Sequence, residues 1–412
     1  MNKHDIEDRL KADHERAIRE AAQTLQGVAR DTPLIRSDFY GTEYGCNAFI
    51  KAENLQVTGS FKIRGAYNRI AKLSAAEAGK GVIASSAGNH AQGVAYSAQA
   101  RGIPATIVMP NITPLIKVNA TKAYGADVIL YGDVYDESYR RATELAGEND
   151  VTFVHPFDDY DVICGQGTIG LEILDALPEA DEILVPIGGG GLISGIALIV
   201  KALKPKIRIV GVAPKGAASM KLSLKEGAVH RLDKVSTNAE GVAVRQPGEL
   251  TFAIARKYVD DVVTVSEKDI MENVLLIMEK HKFVAETAGV VSLAGLRKRA
   301  KPGKNIVCVM SGGNIDTVTI SSIINEGMIS RGRIMCFSAE LPDRPGQLVN
   351  VATLLAECGA NVIGLEHNQF KALDRYSNKV ALEVTVETNG PDHISRVLAV
   401  LDKNGFAVRR IY

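Results

Sequence analysis

The sequence predicts an α/β protein built on parallel sheets, followed by a smaller α+β unit. Three observations predict it. Short, almost wholly apolar segments alternate with helix-length stretches between residues 81 and 310, glycine is abundant at 38 residues, and the rhythm changes near residue 330. Strands buried on both faces read as continuous apolar runs, and helices between them favour parallel pairing with right-handed crossovers.

In chain order, Ile6, Leu10, Ala17, Ile18, Ala21 and Leu25 fall on one side of a helix running from Met1 to about Gly27. Its charged start, through Glu20, has no apolar core and is no secretory signal. Thr32 to Ile35 and Asn47 to Lys51 read as short strands. The apolar segments then follow: Gly81–Ala84, Ala105–Met109, Asp127–Tyr131, Val151–Val154, Glu182–Val185, Ile207–Val212, Asp261–Val265 and Asn305–Met310. From Arg333 the pattern becomes strand, turn at Asp343-Arg-Pro-Gly346, helix to Cys358, strand from Asn361, turn near Asp374, strand Val380 to Glu387, helix from Pro391 and strand Phe406 to Tyr412. That is a βαββαβ unit of ferredoxin-like size, with a domain boundary at 330/331.

With 412 residues, two or three cores are expected. Lys plus Arg equals Asp plus Glu at 48 each, which predicts neither nucleic acid nor an anionic membrane as partner. The five cysteines are scattered without a C-x-x-C pair and suit a reducing, cytoplasmic setting; no metal-ligand spacing is present. The one long uncharged run, Ile183 to Val200, holds Pro186 and four successive glycines, so it reads as strand, turn and helix start rather than a membrane span.

In open α/β sheets ligands sit beyond the carboxyl ends of the strands. Four stretches carry chemistry there. Thr58-Gly-Ser-Phe-Lys-Ile-Arg-Gly-Ala66 places Lys62 in the first turn of a helix, with Thr58 and Ser60 as candidate caps. The helix dipole and apolar packing of Phe61 and Ile63 favour a neutral amine, able to form an imine with a carbonyl. A random lysine is a solvated one, so this stretch needs company. Ser85 to Gly93 is small and polar and opens a helix whose amides suit a carboxylate. Gly188-Gly-Gly-Gly191 brings bare backbone N–H groups to a helix start, which suits a phosphate. It is neither a Walker loop nor a G-x-G-x-x-G, and the next strand, ending Gly211-Val-Ala-Pro214, lacks the acid that grips a nicotinamide ribose. Ser311-Gly-Gly-Asn314 supplies a hydroxyl on another tight turn. A phosphate-bearing aldehyde bound to Lys62 unites these loops, and pyridoxal 5′-phosphate has those handles.

In that order, Ser60-Phe-Lys-Ile-Arg-Gly-Ala66, Ser86-Ala-Gly-Asn-His-Ala-Gln-Gly93, the tetraglycine and Ser311-Gly-Gly-Asn314 resemble the fold type II pyridoxal-phosphate enzymes, and among them the threonine dehydratases or threonine ammonia-lyases. The resemblance spans nearly all of the first 330 residues. It implies a tryptophan-synthase-β-like fold in which a small subdomain, at about 50–150, is inserted in a large one. Lys62 would bind the cofactor aldehyde and act as the base at Cα; Phe61 would pack on the ring and Asn89 bond its hydroxyl. Gly188, Gly189, Gly190, Gly191 and Leu192 would hold the phosphate. Ser86, Ala87, Gly88, Asn89 and His90 would embrace the substrate carboxylate, with Ser86 also catalytic, and Ser311 would face the ring nitrogen. Glu286 resembles an acid near the ring; Glu240 lies in a segment typical of the family, though a solvated surface explains it equally.

A serine opposite the ring nitrogen makes a weaker electron sink than a carboxylate, which favours loss of a β-leaving group. The implied reaction is loss of water from L-threonine to give 2-oxobutanoate and ammonia, the first step toward isoleucine, with L-serine giving pyruvate. The rivals are a serine racemase, which carries serine where this chain has Ala87, a cysteine or threonine synthase, and a catalytically silent amino-acid sensor. Residues from Arg333 resemble an ACT domain. This implies an amino-acid effector such as isoleucine or valine near Gly346 and Asn361, allosteric control and a homotetramer.

Overall fold

Side-chain caps set element borders that apolar periodicity leaves open. In the computed structural model, which describes residues 3–368 and 379–412, Asp13 accepts a hydrogen bond from the Arg16 amide at 3.1 Å. The expected single N-terminal helix is therefore two, Lys3–Lys11 and His14–Thr24. Ile18 and Ala21 are fully buried, and Ile6, Leu10 and Ala17 pack against the same core.

The chain divides into compact units between Asp316 and Thr317. Helix Thr317–Ser330 thus belongs with the second unit, whereas the sequence places it at the end of the first.

The strands of the first unit are β1 (Leu34–Ser37), β2 (Asn47–Ala52), β3 (Val82–Ser85), β4 (Ala105–Met109), β5 (Asp127–Leu130), β6 (Thr152–Phe153), β7 (Glu182–Pro186), β8 (Arg208–Pro214), β9 (Asp261–Val265) and β10 (Asn305–Met310). They form a six-stranded sheet, β1-β2-β10-β7-β8-β9, and a four-stranded one, β5-β4-β3-β6. All pairings are parallel except β1 with β2. Only β1, joined to β2 by a short helix, departs from the all-parallel expectation; so tight a return enforces antiparallel pairing. The small sheet lies between β2 and β7 in the chain. Helices Tyr160–Ala176 and Gly191–Leu203 line the main core with Ile163, Ile169, Ile173, Ile193, Ile196 and Ile199, all fully buried.

One polar cluster crosses this apolar interior. Arg64 donates to Glu53 through Nε and Nη2, both at 2.8 Å, and to Glu172 and Thr168. Lys51 pairs with Glu172, and Thr32 bonds Glu53. Lys51, Glu53 and Arg64 are at most 2% exposed. Burial pushes the Glu53 carboxyl up, but Arg64 and Lys51 outweigh it and hold the group below the usual carboxylate range. Two cations and two anions cancel, so three charges stay buried with the partly exposed Glu172 as one matched set. The set ties β2, the helix that starts at Lys62 and helix Tyr160–Ala176 together.

In the second unit, β11 (Ile334–Pro342), β12 (Asn361–Asn368), β13 (Lys379–Glu387) and β14 (Val408–Arg410) form an antiparallel sheet of order β12-β13-β11-β14. Helices Gln347–Glu357 and Pro391–Lys403 cover it, with Phe337, Leu341, Leu382, Val386, Leu355 and Val397 between the layers. This βαββαβ arrangement fits an ACT domain. The last strand is shorter than expected from Phe406 to Tyr412, and the turn expected near Asp374 lies outside the described residues.

Replacing Arg64 by leucine leaves the buried Glu53 and the partly buried Glu172 with Lys51 as their one remaining cation. Arg64→Leu is expected to cost about 3–5 kcal/mol, read as a lowered urea midpoint of the apo-protein; a midpoint unchanged from the parent would contradict this account.

Candidate active site

Helix Lys62–Ala71 begins without a side-chain cap. Thr58 and Ser60, the expected caps, do not serve: both hydroxyls are buried and have no partner among the described residues. Backbone replaces them. Gly59 turns the chain at φ 71°, Ser60 bridges Gly312, and the Phe61 amide donates to the Ser311 carbonyl at 3.2 Å. The loop after β10 thus seats the start of this helix.

Lys62 Nζ donates to the Pro156 carbonyl at 2.8 Å. Burial brings its amine down to about 8, with Glu286 acting in the opposite direction. Burial likewise pushes Glu286 up to about 7, moderated by a hydrogen bond from Asn89. A neutral amine is therefore accessible near neutrality, through desolvation more than through the helix dipole. Phe61 is partly buried against the main core, its ring centroid 5.3 Å from Lys62 Nζ.

After β3, Ser86 Oγ accepts from the Gly88 amide at 3.2 Å, and helix Asn89–Arg101 starts at Asn89. Gln92 makes the first backbone bond back, to the Gly88 carbonyl, so the amides of Asn89, His90 and Ala91 precede the helical ladder. Ser86, Ala87, Gly88 and Asn89 are half-buried. His90 turns inward: Nε2 donates to the Val154 carbonyl at 2.8 Å, and burial, then Lys62, lower its pKa to about 3. What His90 offers at the loop is its backbone N–H.

The glycine run has no room for side chains. A Cβ on Gly188 would stand 2.8 Å from Val242 Cα, one on Gly191 2.9 Å from Phe157 Cα, and one on Gly189 would overlap the Phe157 ring. Gly190 adopts φ 98° and lies against Met220 and Thr251. Helix Gly191–Leu203 follows, and its first bond runs from the Ser194 amide to the Gly190 carbonyl. The amides of Gly191, Leu192 and Ile193 stay outside that ladder, an anion cradle by construction. Phe157 follows Pro156, the Lys62 acceptor, so this segment joins the cradle to the amine.

Ser311 is buried, with Oγ 3.4 Å from the Ala288 carbonyl oxygen. Glu286 Oε1 accepts from Asn89 Nδ2 at 2.6 Å, and Asn89 Oδ1 accepts from Asn314 Nδ2 at 2.8 Å. Lys62, Asn89, Glu286 and Ser311 thus gather at one place, with the glycine cradle joined through Phe157. Glu240 is exposed yet paired, accepting from Lys117 Nζ at 2.6 Å. It links the large-sheet half to helix Leu115–Lys122, and Arg231 and Arg245 link it to helix Tyr135–Glu148 through Asp136. Gly346, at φ 92°, and Asn361 lie exposed in the second unit. Pro156 and Phe157 follow a strand end and could have been found by that rule; Lys117 carries no sequence signal.

An amine held near neutrality, an anion cradle at a helix start and a helix-opening polar loop, all at strand ends of a doubly sheeted α/β unit, define a cofactor-dependent enzyme of the fold type II class. The pattern described as pyridoxal-phosphate dependent enzyme matches residues 25–312, and this chain belongs to that family. Within it, the chain is 45% identical over 393 residues to the L-threonine ammonia-lyase of Thermotoga maritima, covering 95% of this chain and 98% of the relative. It is likewise 45% identical over 395 residues to the L-threonine ammonia-lyase of Geobacter sulfurreducens, at 95% and 98% coverage. Among solved structures, the processed form of threonine deaminase isoform 2 from Solanum lycopersicum superposes with a TM-score of 0.74 at 38% identity, over 80% of this chain and 90% of that one. Maize serine racemase superposes at 0.72 and 35%, over 77% and 98%. The residues fit pyridoxal 5′-phosphate: Lys62 suits its aldehyde, the cradle its phosphate, and Asn89 keeps one amide hydrogen for its hydroxyl, beside the unpartnered Ser60 hydroxyl.

Two outcomes follow for the apo-protein. Gly190→Ala combines a strained φ with overlap against Met220 and Thr251, so its affinity for pyridoxal 5′-phosphate should fall at least about tenfold in an absorption titration. Because the amine attacks only when deprotonated, uptake of the cofactor should accelerate as pH rises through about 8; a rate that instead rises only toward 10.5, the ordinary lysine value, would mean that Lys62 is not perturbed.

Proposed function

We propose that this chain is an L-threonine ammonia-lyase that removes water from L-threonine and yields 2-oxobutanoate and ammonia, with L-serine giving pyruvate. The observation that carries the reading is the amine of Lys62, held near neutrality beside the Glu286–Asn89 pair, in a chain similar over 95% of its length to proteins of that name. A 37% identical relative over 401 residues, the biosynthetic L-threonine dehydratase of Halalkalibacterium halodurans, supports a place as the first step toward isoleucine.

When bound, pyridoxal 5′-phosphate supplies the electron sink that makes the Cα proton acidic. Lys62 Nζ is the group that takes this proton. The amides at the start of helix Asn89–Arg101, with Ser86, hold the carboxylate and so fix which Cα bond faces Lys62. Ser311 offers a hydroxyl where a carboxylate would stabilise full positive charge, which shortens the life of negative charge at Cα and favours departure of the β-hydroxyl. The released enamine tautomerises to an imine, and one water then returns as it hydrolyses to keto acid and ammonia.

A second reading, serine racemisation, is supported by the likeness to maize serine racemase. It needs an acid on the opposite face of Cα, where Ala87 offers none. The effector module is part of the same proposal. Edge strand β12 exposes Val362, Ile363 and Leu365, and helix Gln347–Glu357 exposes Val349. That apolar edge suits pairing with a second copy in a homotetramer, with isoleucine or valine bound near Gly346 and Asn361. No helix among the described residues is long and apolar enough to cross a membrane, and we place the enzyme in the cytoplasm.

The holoenzyme incubated with L-threonine or L-serine should release keto acid and ammonia in equal amounts, and Lys62→Ala should lower kcat by at least about a thousandfold, in line with losing a Cα base and its covalent hold. D-serine as the main product from L-serine would establish the racemase instead.

A further inference from the structure

Three loops meet at the Asn314 side chain, and the hydrogens there can be counted. Its Nδ2 carries two: one goes to the Thr58 carbonyl at 2.7 Å, the other to Asn89 Oδ1 at 2.8 Å. Gly59, between Thr58 and the Lys62 turn, lies so close that a Cβ there would overlap the Asn314 amide. Asn314 is thus held by the loop before Lys62 and holds the loop after β3. Asn89, with Oδ1 engaged, must aim Nδ2 the other way; one hydrogen meets Glu286 Oε1 at 2.6 Å, and the second is left for the site.

An asparagine amide can turn over, exchanging donor and acceptor. Against an ionised Glu286 the turned form sets oxygen against oxygen and is excluded. A protonated Glu286 donates as readily as it accepts, so it would tolerate the turned form. Burial brings Glu286 up to about 7, and the charged groups facing it are Lys62, Lys117 and Glu240. Both of its states are therefore populated near neutrality. In either state, turning Asn89 would set its Nδ2 against the Asn314 Nδ2, two donors face to face.

We propose that Asn314 is a positioning residue that locks the Asn89 amide with its nitrogen toward the cofactor hydroxyl, whatever the protonation state of Glu286. The assignment rests on the reading of this site as a pyridoxal-phosphate site. Without Asn314 the orientation depends on Glu286 alone and fails on the acid side, where that carboxyl is neutral.

The test is affinity of apo-protein for pyridoxal 5′-phosphate, measured by absorption at about pH 6 and about pH 8.5, with each variant divided by its parent so that titration of Lys62 and of the cofactor cancels. For Asn314→Ala, the loss should be roughly tenfold at the lower pH and no more than about twofold at the higher, the size of one hydrogen bond. In the Glu286→Gln background, where the neighbour can always donate, the loss on adding Asn314→Ala should be the same at both pH values. Equal losses at both pH values in the native background, no loss at the lower pH, or a pH-dependent loss in the Gln background would each overturn the proposal. Melting of the apo-proteins checks folding; if Asn314→Ala does not fold, Asn314→Ser, whose hydroxyl falls short of Asn89, replaces it in the same comparison. A parent protein that binds no cofactor would overturn the cofactor reading itself, and this proposal with it.

Discussion

The buried pairing of Arg64 with Glu53 and Glu172 is the constraint on which the site depends. Arg64 lies two residues beyond Lys62, within the first turn of the same helix, and its guanidinium reaches from the end of β2 to helix Tyr160–Ala176. A planar fork that satisfies two carboxylates at once has little freedom to rotate or slide. The helix start is therefore fixed in position, and the Lys62 amine, whose hydrogen bond goes to the Pro156 carbonyl, is placed without a charged partner bonded to it. Such a division suits a residue that must move: the anchoring charge does not react, and the reacting group does not anchor.

Around that fixed point the loops at the strand ends hold one another by backbone groups and uncharged side chains. The Ser311 loop accepts from Phe61, the Asn314 side chain reaches Thr58 and Asn89, and the glycine run packs on Phe157 beside the Lys62 acceptor. Few of these contacts use charged side chains, so little in the frame changes with pH. The titrating groups, Lys62 and Glu286, are set into a frame that does not titrate with them.

Much of this was legible in the chain. Continuous apolar runs revealed nearly every strand of both sheets, and the polar or glycine-rich stretches after three of them revealed the loops of the site, because parallel strands bury both faces and leave chemistry to their ends. What could not be read depends on partners far apart in sequence. Thr58 and Ser60 look like caps, yet a bridge to Gly312 takes their place. Lys51, Glu53, Arg64 and Glu172 are unremarkable as single letters and become a unit only when three elements pack. Asn314 was visible within its motif, but its hydrogen bonds to Thr58 and Asn89 span 256 and 225 positions. The split of the first helix was readable, since Asp13 is a good N-cap, but periodicity alone runs straight through it.

The contacts from Lys117 to Glu240 and from Arg231 and Arg245 to Asp136 differ in kind from the rest of the frame. They join the half that carries the small sheet to the segment between helices Ser219–Glu226 and Glu249–Tyr258, and most of their charged groups stand in water. Exposed pairs of this sort contribute up to about 1 kcal/mol each and weaken as dissolved ions shield them. The halves are thus linked at this rim by solvated charges, while the Asn89 contacts to Glu286 and Asn314 join them at the reacting centre. Rising ionic strength therefore weakens this rim and leaves the contacts of the centre as they are.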